Sequence, residues 1–355
     1  MMDKTLWLSS LSLLLMCMCC KGAADAGPPS GGGDGGGNSP LRPASLGIVG
    51  DTADVQTVTQ GGLVLMGGGR DVDAAFQWMI ARAGGGDAVI IRASGTDAYN
   101  PYVNELGRLN SVETLKIDSR TLANDTRVAQ VVRNAELLFI AGGDQSDYVR
   151  YWKGTRIEAA INYLLNEKKV PVGGTSAGCA ILGSSYFTGA QGSITSNEAL
   201  SDPMGGKVTI GHGDFLHAPF LSHLITDQHY VARNRQGRSV VFLGALQASG
   251  PGEARSIAVD ERTAVCIDEA GIARVMGESR AFFLYAAADK RPETYTAGKP
   301  MEWNHDEQAI AVYEIAGSTE GAGLFDVSDF LHGRQQGGRW QWWWVENGKL
   351  HQKQQ

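Results

Sequence analysis

Three times between Leu63 and Gly174 a short apolar run stops at a cluster of glycines. Leu63–Met66 precedes Gly67-Gly68-Gly69, Leu137–Ala141 precedes Gly142-Gly143, and Val170–Val172 precedes Gly173-Gly174. Apolar residues at helical spacing alternate with these runs. Ala74, Ala75, Phe76, Met79 and Ile80 share a face within 72–83, and Ile157, Ala160, Ile161 and Leu164 do so within 156–165. Further strands are expected at Ala88–Ile91 and Leu115–Ile117, and a further helix at Arg127–Arg133. Strand, turn and helix in repetition predict an α/β fold, a mostly parallel sheet flanked by helices. In such sheets ligands bind beyond the carboxyl ends of the strands, the edge where all three glycine clusters fall. The stretch "LMGGGRDVD" lacks the G-x-G-x-x-G spacing of a dinucleotide site, and Asp71 and Asp73 would repel phosphates, so a tight structural turn is expected there.

The two ends of the chain read differently. Lys4, the apolar stretch Leu6–Met18 and Ala24-Asp25-Ala26 have the layout of a secretory signal peptide over residues 1–26. This predicts a secreted, extracellular or periplasmic protein, with a lipid anchor at Cys17, Cys19 or Cys20 as the second choice. Residues 27–44 are expected to form a Gly/Pro-rich linker, residues 45–290 the α/β domain, and residues 291–355 a C-terminal extension packed on that domain. From Glu198 the pattern loosens, with β-like runs at Val240–Leu243, Ser256–Val259, Thr263–Ile267 and Ala309–Ile315. Trp340, Trp342, Trp343 and Trp344 are expected to close the end of a core, with a polymer-binding platform as the alternative.

With 19% charged residues and a net charge of −7, the chain is not built to hold nucleic acid. No His or Cys pair stands at metal-ligand spacing, so neither a metal nor another cofactor is expected. Behind the signal region only Cys179 and Cys266 remain, both in apolar segments where a buried free thiol is the usual outcome.

At the third glycine cluster the sequence "GGTSAG" fits G-x-S-x-G, a strand-to-helix turn that lifts a serine hydroxyl clear of the sheet. A serine needs a base to take its proton, and the base needs an orienting group. Among seven histidines, His229 stands apart, flanked by Asp227 and Gln228 and followed by Arg233, Arg235 and Arg238. Guanidinium groups hold carboxylates through paired hydrogen bonds, so this arginine run beside a candidate base suggests a pocket for anionic groups.

"AGGDQ" (Ala141–Gln145), "GGTSAG", "DQHYVARNRQGR" (Asp227–Arg238) and "AVDERTA" (Ala258–Ala264) stand in the order seen in cyanophycinases. The chain resembles this group, part of the serine peptidase family that includes aspartyl dipeptidase, over about residues 60 to 285. The resemblance implies a flavodoxin-like or class I glutamine amidotransferase-like fold, a homodimer, and hydrolysis of cyanophycin. That polymer is a poly-aspartate backbone with arginine joined to each β-carboxylate, and cleavage of its α-peptide bonds releases β-aspartyl-arginine. By the same resemblance Ser176 looks like the nucleophile, His229 the general base and Glu261 the orienting carboxylate, with Asp260 as runner-up. Gly143 and the Ala177 N–H look like the oxyanion hole. Gln145, Asp227, Gln228, Arg233, Arg235 and Arg238 match substrate-binding positions, and a carboxylate such as Asp227 would meet the substrate's guanidinium. The alternatives are an aspartyl or isoaspartyl dipeptidase of the same family, an esterase using Asp260 and His305, and a non-catalytic surface protein that binds polymer.

Overall fold

The structure, a computed structural model, describes residues 42–250 and 252–355. The expected signal peptide, its cysteines and nearly all of the linker lie outside these residues. Those from Arg42 to Gln355 cluster as one unit. No helix among them is long and apolar enough to cross a membrane.

Two sheets form the frame. The first runs, edge to edge, Ser45–Gly50, Ser111–Lys116, Asp87–Arg92, Leu137–Ile140, Pro171–Thr175, Gly62–Met66, Thr263–Ile267, Ile272–Gly277, Leu324–Asp326 and Gln335–Gln336. The five strands from Ser111–Lys116 to Gly62–Met66 are parallel to one another. These are the strands of the repeated strand–turn–helix pattern, and residues from the second half of the chain extend their sheet with antiparallel strands. Parallel strands covered on both faces must be apolar throughout, which is why they read as unbroken runs such as "LVLM" and "LLFI". Helices Asp73–Ala83 and Arg156–Tyr163 bury most of the apolar positions that their spacing marked, with Ala74 part-exposed, and Thr126–Asn134 buries Val128, Ala129 and Val132.

The second sheet runs Lys349–Gln354, Gly338–Glu346, Ile310–Ala316, Arg280–Ala286, Ala254–Val259, Leu224–Gln228, Ser185–Phe187 and Ile210–His212. Much of the stretch beyond Arg291 therefore belongs to this sheet. Trp343 and Trp344 are buried in its core, and Trp340 packs part-buried against Tyr313. These three tryptophans thus close the core, while Trp342 is part-buried beneath Lys290 Nζ.

One expected strand is a helix. Val240–Leu243 lies inside the helix Gln236–Ser249, where every residue from Gly237 to Gly244 is buried. It is enclosed by the second core with Phe187, Tyr230, Phe282 and Met301. A helix buried on all sides has no polar stripe, so four consecutive apolar residues in it look like a strand. Cys179 and Cys266 are free and buried, as expected.

Candidate active site

Thr175 ends the Pro171–Thr175 strand, and Ser176 follows with φ 51° and ψ −114°, a conformation that costs a non-glycine residue about 1–3 kcal/mol. Such a turn lifts a side chain out of the sheet, and it is tolerated because its surroundings are close to the limit of packing. A Cβ on Gly178 would lie 2.0 Å from the Ile140 carbonyl oxygen, so only glycine lets the short helix Ala177–Ala180 approach the neighbouring strand. The helix is a single turn.

Ser176 Oγ lies 2.8 Å from His229 Nε2, and His229 Nδ1 lies 2.6 Å from Glu261 Oε1. A carboxylate only accepts, so Nδ1 carries the proton donated to Glu261 and Nε2 is left to accept from the serine hydroxyl. Asp260 is engaged elsewhere. Its Oδ1 accepts the N–H groups of Val231 and Ala232, each at 2.9 Å, and its Oδ2 accepts the Ser279 hydroxyl at 2.6 Å. It braces the segment after His229, while Glu261 faces the imidazole. His305, the esterase alternative's base, is hydrogen-bonded to the Arg291 carbonyl at 2.6 Å.

Residues from both sheets meet here, and the Gly67–Gly69 turn joins them. The Ser176 N–H donates to the Met66 carbonyl (3.1 Å), the His229 N–H to Gly67 (2.8 Å), and the Arg262 N–H to Gly68 (2.9 Å). Gly68 has φ 93°, and a Cβ there would lie 2.4 Å from His229 Cε1. The turn is structural, as expected, yet it also seats the imidazole. The signal in the sequence was the third consecutive glycine, one more than a simple strand end requires.

A cavity of about 240 Å³ opens over Ser176, lined among others by Gly143, Gln145, Gln228, Arg233 and Arg235. Ala177 opens its helix, where the N–H has no acceptor within the helix. Arg233 is half-exposed, with Nε 3.9 Å from Glu261 Oε1. Arg235 is buried and donates from Nη1 to the Gln228 carbonyl at 2.9 Å. Burial, then the nearby Arg238, pulls its pKa down to about 10, so its charge is imperfectly compensated and an anion would relieve it.

Asp227 is not free for a ligand. Its carboxylate is buried and accepts Arg238 Nε (3.0 Å), Arg238 Nη2, the Ser239 hydroxyl (2.6 Å) and the Gln228 N–H (2.8 Å). Burial pushes the carboxyl up, but Arg238 first, then Arg235 and Ser239, outweigh it and hold it below the usual range. The expectation that Asp227 meets a guanidinium therefore gives way to an internal pair that orients Arg238, which itself lines the cavity. The exposed lining carboxylate is Asp144, between two candidates in "AGGDQ" and missed there because helix capping explains it equally well.

Burial also lowers the His229 pKa; the Glu261 hydrogen bond raises it, while Arg233 and Arg235 lower it further. The imidazole is thus kept neutral near pH 7, the form that takes a proton. Among the described residues no group of three or more His, Cys, Asp or Glu side chains is placed to hold a metal.

The chain is 28% identical over 204 residues to a cyanophycinase of Geminocystis herdmanii, covering 55% of this chain and 69% of the relative. It is 26% identical over 180 residues to a cyanophycinase of Trichormus variabilis, covering 51% of this chain and 55% of the relative, so it spans about half that relative's length. A peptidase from an acI-B1 Actinobacterium superposes with a TM-score of 0.48 at 14% identity, over 76% of this chain and 98% of that one. The model of Peptidase family S51 matches residues 63–275, the stretch that holds Ser176, His229 and Glu261, and the chain belongs to that family of serine-type peptidases.

Proposed function

We propose that this peptidase hydrolyses the α-peptide bonds of cyanophycin and releases β-aspartyl-arginine through an acyl-enzyme. The observation that carries the substrate is the lining of the Ser176 cavity, where Arg233, Arg235 and Arg238 stand with Gln145 and Gln228. Each repeat of the polymer offers a carboxylate on its arginine and a guanidinium at that arginine's end. The arginines suit the first, and Asp144 suits the second.

In this mechanism Ser176 Oγ bonds to the scissile carbonyl carbon as its proton passes to His229 Nε2, with Glu261 stabilising the imidazolium. The N–H groups of Gly143 and Ala177 receive the oxyanion, each contributing on the order of 3 kcal/mol. The C–N bond then breaks, the leaving amine takes the proton from His229, and water repeats the sequence to free the acyl group. Export of the protein and pairing of two copies belong to the same proposal. Export rests on the reading of residues 1–26 and pairing on the family likeness, and N-terminal sequencing of protein from the medium and sedimentation test them in turn.

The test is digestion of purified cyanophycin by the protein and by Ser176→Ala, with products identified by mass spectrometry. Release of β-aspartyl-arginine by the first alone supports both substrate and nucleophile. Release by both removes Ser176 from the chemistry. Faster hydrolysis of short α-Asp peptides than of polymer would move the substrate to aspartyl dipeptides, the reading that the small cavity favours.

A further inference from the structure

Next to the Ser176 cavity the second sheet carries another, of about 310 Å³, which the mechanism does not use. Val231 and Gln236 form one wall, and Arg280, Arg339 and Gln341 contribute to the other. The two cavities share a partition. Within one segment, Gln228, His229, Arg233 and Arg235 face the first cavity while Val231 and Gln236 face the second.

The pairing register shows why these side chains gather. The Asp260 N–H donates to the Arg280 carbonyl, so the strand Arg280–Ala286 starts beside the turn that carries Glu261. Phe282 pairs with Glu314, Glu314 with Arg339, and Gln341 with Gln354. Arg280, Glu314, Arg339, Gln341 and Gln354 thus share one face of the sheet with Phe282. From the strand Ala254–Val259 to the strand Lys349–Gln354 there are four steps of roughly 4.8 Å, or about 19 Å, enough for about six residues of extended chain.

On this face two guanidinium groups stand around one carboxylate. Glu314 is buried and accepts Arg280 Nη1 (2.8 Å), Arg339 Nε and Nη2 (3.1 and 2.9 Å) and Gln341 Nε2. One carboxylate thereby fixes two half-exposed guanidinium groups and has no capacity left for a ligand. Lys353 pairs with Trp342 and so points to the other face of the sheet, where its Nζ meets Glu307 at 2.5 Å. In the same cavity Gln236 Oε1 is buried without a partner among the described residues. An acceptor in that position needs a donor from whatever fills the space.

The geometry points to this cavity as a second binding site for the polymer, one that holds carboxylates of repeats lying beyond those at Ser176. The backbone N–H groups of such a chain are donors of the kind Gln236 lacks. The inference rests on the proposed substrate and adds to it a dependence on chain length. It also gives the residues after Arg291 a task, since Glu314, Arg339 and Gln341 all come from them.

The experiment compares long cyanophycin with a two-repeat fragment as substrates of the unaltered protein, of Arg339→Gln, and of Arg280→Gln. Glu314 keeps Arg280 and Gln341 in the first variant and Arg339 and Gln341 in the second, and both changes fall on half-exposed side chains, so either serves if the other does not fold. The expected result is a KM for long polymer raised roughly fivefold with kcat unchanged, and no change on the fragment. Equal changes on both substrates, or none on either, would overturn the second site. If the unaltered protein cleaves both lengths with the same KM, the second site falls and the substrate stands. If it cleaves neither, the substrate assignment falls and takes the second site with it.

Discussion

The two sheets do not contribute alike to the catalytic geometry. The parallel half of the first sheet supplies Ser176 from a strand-to-helix turn, the local construction that its sequence announces. The second sheet supplies His229 at the end of Leu224–Gln228 and Glu261 just beyond Ala254–Val259, from parallel neighbours far apart in the chain. A nucleophile turn is local, whereas a base and its orienting acid are set by which strands pair. The Gly67–Gly69 turn ties both sides through backbone hydrogen bonds, so neither sheet carries the site alone.

The widest gap between the two sides is expected from the paired carboxylates. Glu261→Gln keeps the shape but loses the charge behind His229, and kcat should fall by roughly 10³ to 10⁴. Asp260→Asn leaves the imidazole's partner in place and should cost only about tenfold, through movement of the braced segment. Steady-state rates of the two variants on one substrate measure the contrast, and equal losses would mean that the roles are shared.

Next in size is a stability effect confined to the second sheet. Arg238→Ala leaves Asp227 buried with its main cationic partner gone, which should cost about 3–5 kcal/mol. Denaturant unfolding measures it. Arg233→Ala, at a half-exposed position, should change stability by less than about 1 kcal/mol. If both variants unfold at the same denaturant concentration, the Asp227–Arg238 pair does not anchor this part of the second sheet.

The smallest expected effect is on pH dependence. The base must be neutral, so kcat/KM should be lost as pH falls through the His229 pKa, which lies below its ordinary value of 6.5. The hydrogen bond to Glu261 raises that pKa, so in Glu261→Gln the acid limb should move lower still; Arg233 lowers it, so in Arg233→Ala the limb should move up. For stability the sign is the same. The unfolded chain binds the His229 proton more readily, so this contribution is complete above pH 6.5 and is lost as pH falls through the folded pKa. A kcat/KM profile with its acid midpoint above 6.5 in the unaltered protein would contradict the burial argument.

Much of this molecule was legible in one dimension. The parallel strands, their helices and the elbow at Ser176 are local patterns, because a strand buried on both faces must be apolar and a tight turn must be small. Ser176, His229 and Glu261 were all within reach of motif and resemblance. Long-range partners were not. The choice between Asp260 and Glu261 depends on which way a turn faces once two sheets have met, and neighbours in sequence carry no sign of it. Asp227 looked like a ligand because its burial comes from Ser239 and Arg238, one helix later. Val240–Leu243 looked like a strand because full enclosure erased the polar stripe of its helix. Sequence by itself determined the elements and the candidate chemistry, since both follow from residue type and short spacing. Tertiary structure decided which charges face the cavity and which face each other, since that depends on desolvation by parts of the chain far away.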